Sequence, residues 1–388
     1  MELRPGYKQT EIGVLSEDWD VEFIENIAEI KTGSKNTQDK VPNGEYPFFV
    51  RSQNVERINS YSFDGEAVLT AGDGVGTGKV FHYIKGKFEV HQRVYQISKF
   101  SEKIDGYFFY LYFSTHFYDR IMQMTAKSSV DSVRREMIAE MPIVLPPITE
   151  QKAIAAALSD VDALLSSLDA LIAKKSDMKK AAMQELLTGK TRLPGFGADK
   201  GYVQTEVGII PADWETKSLG EILVIGHGRD YKELPHGDVP VYGTGGYITS
   251  VSSYLHDGET VCIGRKGTID NPMYFNGKIW TVDTLFFTHS FVECVPKFLF
   301  YVFCTINWRS YNEATGVPSL TAKLIESIQI QFPSRAEQQA IADVLSDMDA
   351  ELEALEARYA KVKDMKTGMM QELLTGKTRL VSTGEQHG

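Results

Sequence analysis

The chain carries one outline twice, and this duplication constrains its fold more than any other feature. Glu150-Gln151, Ala153-Ile154-Ala155, Leu158-Ser159-Asp160 and Asp162-Ala163 return as Glu337-Gln338, Ala340-Ile341-Ala342, Leu345-Ser346-Asp347 and Asp349-Ala350, a shift of 187 (337 − 150). The block from Gln184 to Leu193 returns from Gln371 to Leu380 at the same shift. Upstream, Gly6, Gln9-Thr10-Glu11, Gly13 and Asp18-Trp19 return as Gly201, Gln204-Thr205-Glu206, Gly208 and Asp213-Trp214, at a shift of 195 (201 − 6). The 388 residues therefore read as variable, repeated, variable and repeated segments, enough for two or three ordinary domains.

The second half of each copy has a helical period. Ile154, Leu158, Val161, Leu165, Leu168 and Ile172 fall at alternating steps of three and four, as do Ile341, Leu345, Met348, Leu352, Leu355, Tyr359 and Val362. Some forty helical residues span about 60 Å, and so long an a/d seam needs a partner helix, most simply the other copy. Lys179 and Lys366 interrupt the seams at matching positions, either selecting register or marking where the helices diverge. Gly189 and Gly376 mark helix ends, and Pro194-Gly195-Phe196-Gly197 reads as a linker.

The variable segments differ in kind. Ala67 to Leu69, Val80-Phe81, Phe88 to Val90 and Val94 to Ile97 predict short strands, matched by Thr260 to Ile263, Ile279 to Val282 and Leu285 to Phe287. Aromatic runs from Tyr107 to Phe113 and from Phe298 to Phe303 predict buried helices packed in a core. The expected fold class is α+β, with two similar α/β modules held apart by two long helices.

Motifs for catalysis fail one after another. Gly72 to Lys79 lacks the first glycine of a phosphate loop, where Asp73 stands, and has Val80 in place of the magnesium-binding Ser or Thr. Both Gly-Lys-Thr triplets have Gln184 or Gln371 at the leading glycine position. Glu29-Ile30-Lys31 with Asp18 or Asp20 upstream has the spacing of a metal-dependent nuclease core, but the second copy has Val224 at the corresponding place. The histidines show no HExxH spacing, and there is no GxSxG elbow, no methyltransferase cofactor loop and no amine-binding aromatic motif. Cys262, Cys294 and Cys304 form no CxxC pair and read as buried thiols. The beginning of the chain lacks the apolar stretch of a signal peptide and no apolar run could span a membrane, so a cytoplasmic location is expected. No catalytic residue, metal ligand or cofactor site is expected in this chain.

What remains is the chemistry of the loops. In the first module, Ser34, Lys35, Asn36, Arg51, Gln53, Asn54, Thr77, Lys79, Gln92, Arg93, Lys127 and Ser128 lie between apolar strands. In the second, Arg229, Lys232, Thr244, Arg265, Lys266, Thr268, Thr315 and Ser319 do the same. Arg and Lys can bond guanine O6 and N7, Asn and Gln can bond adenine N6 and N7, and hydroxyls can hold phosphates, so this set suits DNA. Composition pulls the other way: 41 basic against 52 acidic residues give −11. Residues 1 to 193 carry 24 basic and 27 acidic side chains and the rest 17 and 25, so any DNA surface is local. The acidic stretch Asp343 to Glu356 suits a solvated or partner-facing surface.

Pro146-Pro147-Ile148-Thr149-Glu150-Gln151 leads into Ile154 and Leu158, is repeated in degraded form from Phe332 to Gln338, and Leu186-Leu187-Thr188-Gly189-Lys190 closes the helix. Over essentially its whole length the chain resembles the specificity subunit of type I restriction-modification systems. The resemblance implies two target-recognition domains, residues 1–149 and 194–336, the latter with its linker, each reading half of a bipartite, asymmetric double-stranded DNA target. It implies spacer helices at 150–193 and 337–380, packed antiparallel in a pseudo-twofold tandem repeat, and a tail at 381–388. It also implies docking of two DNA methyltransferase subunits on the helices, with Leu158, Leu165, Leu345 and Leu352 as candidate contacts. Adenine methylation with S-adenosylmethionine, and ATP- and Mg2+-dependent translocation and cleavage by restriction subunits, would belong to partners. A subunit serving a fused nuclease-methylase, and a peptide- or glycan-binding scaffold, stand as alternatives.

Overall fold

The structure, a computed structural model, describes residues 6–10, 12–124, 132–197, 200–312 and 314–380. Each long helix starts just after a proline, which cannot donate to the turn before it. Glu150 and Gln151 donate their backbone N–H groups to the Pro147 carbonyl, and the helix then runs Ile148–Leu186. Its counterpart follows Pro333 and runs Arg335–Leu373. The chain divides into two units, Met1–Ser167 with Tyr359–Gly388, and Leu168–Arg358. Each unit thus owns one variable module and a part of both long helices.

In the first unit, a hairpin pairs Tyr7–Thr10 with Gly13–Ser16, and Asp20–Phe23 pairs antiparallel with Pro142–Leu145. The main sheet has six strands in the order Glu29–Thr32, Val94–Ser98, Phe63–Ala71, Phe81–Val90, Tyr46–Phe49, Glu56–Ile58. Its fourth and fifth strands pair parallel at Phe48 and Glu89. Phe81 and Phe88 to Val90, expected in two strands, belong to one long strand whose polar middle pairs with Phe63–Ala71, while Val80 lies just before it. The aromatic helix Gly106–Met124 lies in the core, with Phe108, Phe109, Phe113 and Phe117 fully buried.

The second unit repeats the plan. A hairpin joins Tyr202–Thr205 to Gly208–Pro211, and Glu215–Ser218 pairs with Gln329–Phe332. Val224–His227, Leu285–His289, Glu259–Gly264 and Met273–Asn276 form a four-stranded sheet in that order. A three-stranded sheet holds Gly246–Val251, His236–Gly243 and Trp280–Thr281. Where the first unit has one uninterrupted strand, Phe81–Val90, the second breaks between Asn276 and Trp280, and the six-stranded sheet becomes two. Its aromatic helix, Pro296–Thr305, buries Phe298, Leu299 and Phe303. Cys304 is exposed, so the expectation of three buried thiols holds only for Cys262 and Cys294.

Within each unit the two helical parts run in opposite directions. In the first, Asp162 pairs with Lys366 at 2.6 Å, while Glu150, earlier on its helix, pairs with Arg379, beyond the end of the other. In the second, Lys179 meets Asp349 and Lys175 meets Glu351 at 2.7 Å. Lys179 and Lys366 are therefore satisfied by carboxylates on the facing helix. Tyr107 and Tyr301 donate to Asp162 and Asp349, each at 2.7 Å, tying each aromatic helix to its lysine–aspartate pair. Burial, reinforced by those carboxylates, pushes both phenols well above their ordinary range. Ile154, Leu158, Ile341 and Leu345 are all but inaccessible. Leu158 and Leu345 are consumed by core packing and offer no side chain to a docking partner, whereas Leu165 and Leu352 are half-buried.

Candidate nucleic-acid interface

The repeated residues build the frame that holds the variable loops. In the first unit Arg379 donates to both oxygens of Glu150, at 2.5 and 2.6 Å, and to both oxygens of Asp18, at 3.0 and 2.7 Å. Its guanidinium lies over the Trp19 ring, and Trp19 Nε1 donates to Glu150 at 3.2 Å. In the second unit Arg192 does the same with Glu337 and Asp213, and Trp214 Nε1 donates to Glu337 at 2.9 Å. Glu150 and Glu337 are 1% and 2% exposed, so each has left water and depends on a forked, charge-assisted arginine contact. The Arg379 guanidinium holds the Asp18 carboxyl down at about 2, and Arg192 holds Asp213 below its ordinary value. The neighbouring Gln151 and Gln338 are wholly buried. Gln151 donates to the carbonyls of Lys103 and Pro146 and accepts from the Asp105 N–H, while Gln338 binds Glu293, Pro333 and Val295 alike. Gly189 and Gly376 adopt φ of +65° and +69° just past the helix ends, and a Cβ would strike Pro211 at 2.4 Å or Trp19 at 3.0 Å. Sequence reasoning found these residues only as landmarks. Charged and amide residues repeated inside apolar surroundings were the available signal for a buried polar joint.

On this frame the first module draws several of its candidate loops together. Arg51 donates to Asp73 at 2.6 Å, and Arg93 lies 3.5 Å from the other Asp73 oxygen, so one carboxylate orients two guanidinium groups from separate loops. Lys35 forms an isolated bridge with His91, and the Gln92 amide donates to Asn36, whose side chain also caps the turn at Thr37–Asp39. Burial holds the His91 imidazole below its ordinary value, with Arg51 adding to the effect, and its Nδ1 accepts the Arg93 N–H at 2.9 Å. Lys35, Asn36, Arg51, Gln92 and Arg93 are thus neighbours, and Arg51, Gln92 and Arg93 are exposed. Lys79, also exposed, rests over the Tyr118 ring. Thr77 belongs to the architecture and not to a binding face: it is 4% exposed and its hydroxyl donates to the Gly74 carbonyl at 2.6 Å. Ser34 lines a separate shallow pocket with Glu29, Lys31 and Lys99, while Gln53 and Asn54 stand exposed on their own loop. Lys127 and Ser128 lie outside the described residues.

The second module is more open. Lys266 bridges to Ser319, Gly267 N–H donates to the Pro318 carbonyl at 2.8 Å, and Leu320 N–H donates to the Arg265 carbonyl at 2.8 Å. Exposed Arg265 and Lys266 flank a half-open pocket of about 450 Å³ that includes His227, Asp283, Thr284 and Ser319. A Cβ placed on Gly267 would lie 3.6 Å from the Thr244 hydroxyl, so Thr244 adjoins this turn. Arg229 lies on a different strand end from this turn. Arg229 N–H donates to Thr281 and its carbonyl accepts Trp280 Nε1, while its side chain is exposed. Lys232 and Thr315 are exposed, while Thr268, also exposed, closes the Arg265–Lys266 turn with its carbonyl packed against Gly264.

The nuclease-like spacing is not assembled into a site. Glu29 pairs with Lys31 and Lys99, and Asp18 with Arg379. Among the described residues no group of three His, Cys, Asp or Glu is placed to hold a metal, and no helix is long and apolar enough to cross a membrane.

A model of the type I restriction modification DNA specificity domain matches residues 16–174 and 211–364, most of both units. The chain belongs to this family. Within the specificity-domain family, the type I restriction enzyme MjaVIII specificity subunit of Methanocaldococcus jannaschii is 24% identical over 94% of this chain and 94% of its own length. The S subunit of a type I restriction-modification system from M. genitalium shares the fold with a TM-score of 0.68, at 18% identity over 96% of this chain and 98% of that one. A chain from a structure addressing complex assembly and conformational transition of the type I R-M system matches with a TM-score of 0.52, at 13% identity over 94% and 99%. The two matched segments of this specificity-domain chain coincide with its two copies, and each contains one cationic loop cluster.

Proposed function

We propose that this chain is the DNA-recognition subunit of a type I restriction-modification enzyme, with each unit reading one half of a bipartite, asymmetric target. The observation that carries the reading is one polar frame used twice beneath two different sets of cationic loops. A single repeated target would need like loops, whereas two unlike half-sites need unlike ones. Arg51, Arg93 and Gln92 in the first unit, and Arg265 and Lys266 in the second, are the base-edge candidates. Lys79, Arg229, Lys232 and the hydroxyls at the loop margins suit phosphates.

The long helices act as an antiparallel coiled-coil spacer in a pseudo-twofold repeat, and their outward faces dock two methyltransferase subunits. With Leu158 and Leu345 inside the cores, the exposed Leu164, Leu171, Met178 and Met365 are better docking contacts. Methylation with S-adenosylmethionine, and ATP- and Mg2+-dependent cleavage, belong to those partners; this chain binds, orients and spaces.

The helices also provide the test. Matched insertions of four residues after Ser167 and after Arg358 fall at the junctions between the units and leave every ion pair named above within its own unit. Each adds about one turn and ~6 Å. Methylome sequencing of cells carrying the system should then show the same two half-sites with a gap longer by roughly one or two base-pair steps. Matched two-residue insertions rotate each face by ~200° and should abolish modification. An unchanged gap in an active four-residue variant would defeat the spacer reading, and methylation independent of this chain would defeat the recognition reading itself.

A further inference from the structure

The tip of the loop between Ala71 and Phe81 carries a side chain that the protein itself does not use. Val75 is wholly exposed, at 101%, more than any other large hydrophobic residue among those described. An unsheltered valine is ordinary at the tip of a slack loop, but this loop is held at several points. Gly72 N–H donates to the Arg93 carbonyl at 2.8 Å, and Gly72 receives Val133 N–H at 2.7 Å. Beneath the tip, the Thr77 N–H and hydroxyl both donate to Gly74, and the N–H groups of Lys79 and Val80 donate to Gly76. Gly74 has φ +83°, which a side chain would strain, and a Cβ on Gly76 would meet Val80 at 2.7 Å and the Arg51 carbonyl at 3.0 Å. Two glycines and a buried threonine therefore fix the valine outward. The same loop supplies Asp73, which orients Arg51 and Arg93, and Arg51 Nη1 lies only 3.8 Å from where a Gly74 Cβ would sit. An apolar isopropyl group is thus presented, pre-organised, on the loop whose Asp73 orients two guanidinium groups.

Resting on the DNA-recognition reading, we propose that Val75 is a specificity-determining residue that reads the 5-methyl group of a thymine in the major groove of the first unit's half-site. The methyl group is the one apolar feature that base edges display there, and side chains of this size meet it by contact. The flanking arginines bond acceptors on adjacent bases. A wedge driven between base steps from the minor groove is the competing use of an apolar tip, but it favours longer or flatter side chains than valine.

The test is a double-mutant cycle on the chain in complex with its modification partners. After methylome sequencing defines the target, each thymine of the two half-sites is replaced in turn by uracil, which lacks only the methyl group, in duplexes used for equilibrium binding. Loss of one methyl contact weakens binding about fourfold. For wild type this loss is expected at one thymine of the half-site assigned to the first unit. The Val75→Ala chain should bind the thymine duplex about as weakly and show no further loss with uracil, while Val75→Ile keeps the sensitivity. Equal uracil sensitivity in wild type and Val75→Ala, sensitivity confined to the other half-site, or a first half-site without thymine would each overturn the proposal. A complex whose modification does not depend on this chain would instead overturn the recognition reading on which it rests.

Discussion

The two units differ most where they would meet a target and least where they are held together. Both use an Asp-Trp pair, a Glu-Gln pair and an arginine past a helix end, with nearly superimposable hydrogen-bond partners. Above that frame, the first unit has one six-stranded sheet and loops cross-linked by Asp73, while the second has its sheet split in two and an open pocket beside Arg265 and Lys266. A joint whose buried charges must all be matched tolerates little change, because one missing partner strands a desolvated ion. Loop side chains that face water carry no such penalty, so sequence divergence collects there.

The largest expected effect is on the shared joint. Glu337→Ala leaves Arg192 and the Trp214 N–H without their buried acceptor and should destabilise the second unit by about 3 to 5 kcal/mol. Glu150→Ala should cost the first unit somewhat less, because Arg379 is 22% exposed against 12% for Arg192 and water can partly replace the lost partner. Denaturant unfolding of both variants measures the difference; a loss well under 1 kcal/mol in either would show that the joint is ornamental in that unit.

Next in size are the loops. Arg265→Ala with Lys266→Ala should relax base discrimination in one half-site only, at ~1 to 3 kcal/mol per base-edge bond lost, and Arg51→Ala with Arg93→Ala should relax the other. Binding to duplexes substituted position by position reads this directly. Loss spread equally over both half-sites would erase the distinction between the units.

The smallest effect lies in acid. The ordinary aspartate value is 3.8 and Asp18 sits at about 2, so the folded protein holds this carboxylate ionised where the unfolded chain has begun to protonate it. Its contribution is complete above about pH 4 and is lost as pH falls toward 2. Asp18→Asn should flatten that part of the pH–stability profile, and Asp213→Asn should do the same for the second unit, where Asp213 is also depressed. A profile unchanged by either substitution would show that Arg379 and Arg192 interact no more strongly with these carboxylates when folded than when unfolded.

Local periodicity made the helices legible: the steps of three and four from Ile154 to Ile172 and from Ile341 to Val362 describe the faces that pack. The aromatic helices were legible as apolar, aromatic runs, Tyr107 to Phe113 and Phe298 to Phe303, although the first extends well beyond its run to Met124. The long strand Phe81–Val90 was not, since its middle, Lys85-Gly86-Lys87, has the composition of a turn and is held extended by antiparallel pairing with Phe63–Ala71, the strand just before it. The joints were visible as repetition but not as chemistry, because Glu150 meets Arg379 across 229 residues and Glu337 meets Arg192 across 145. Among the loop candidates, residue type alone could not separate Thr77, which props its own turn, from Arg51 and Arg93, which are braced toward solvent by Asp73.

The closure of the first unit by Arg379 has a consequence for biosynthesis. The second unit, Leu168–Arg358, is a single stretch of chain and can complete its joint as soon as it has left the ribosome, since Arg192 precedes Glu337. The first is made earlier and finishes later: Trp19, Glu150 and the core around Leu158 wait for Leu373, Leu374 and Arg379. At ~5 to 20 residues per second, the 229 residues between Glu150 and Arg379 impose a delay of roughly 10 to 45 seconds. During that interval the nascent chain exposes a tryptophan, a leucine-lined helix face and an unpaired glutamate. The half of the protein that is translated first is therefore the half that most needs a chaperone.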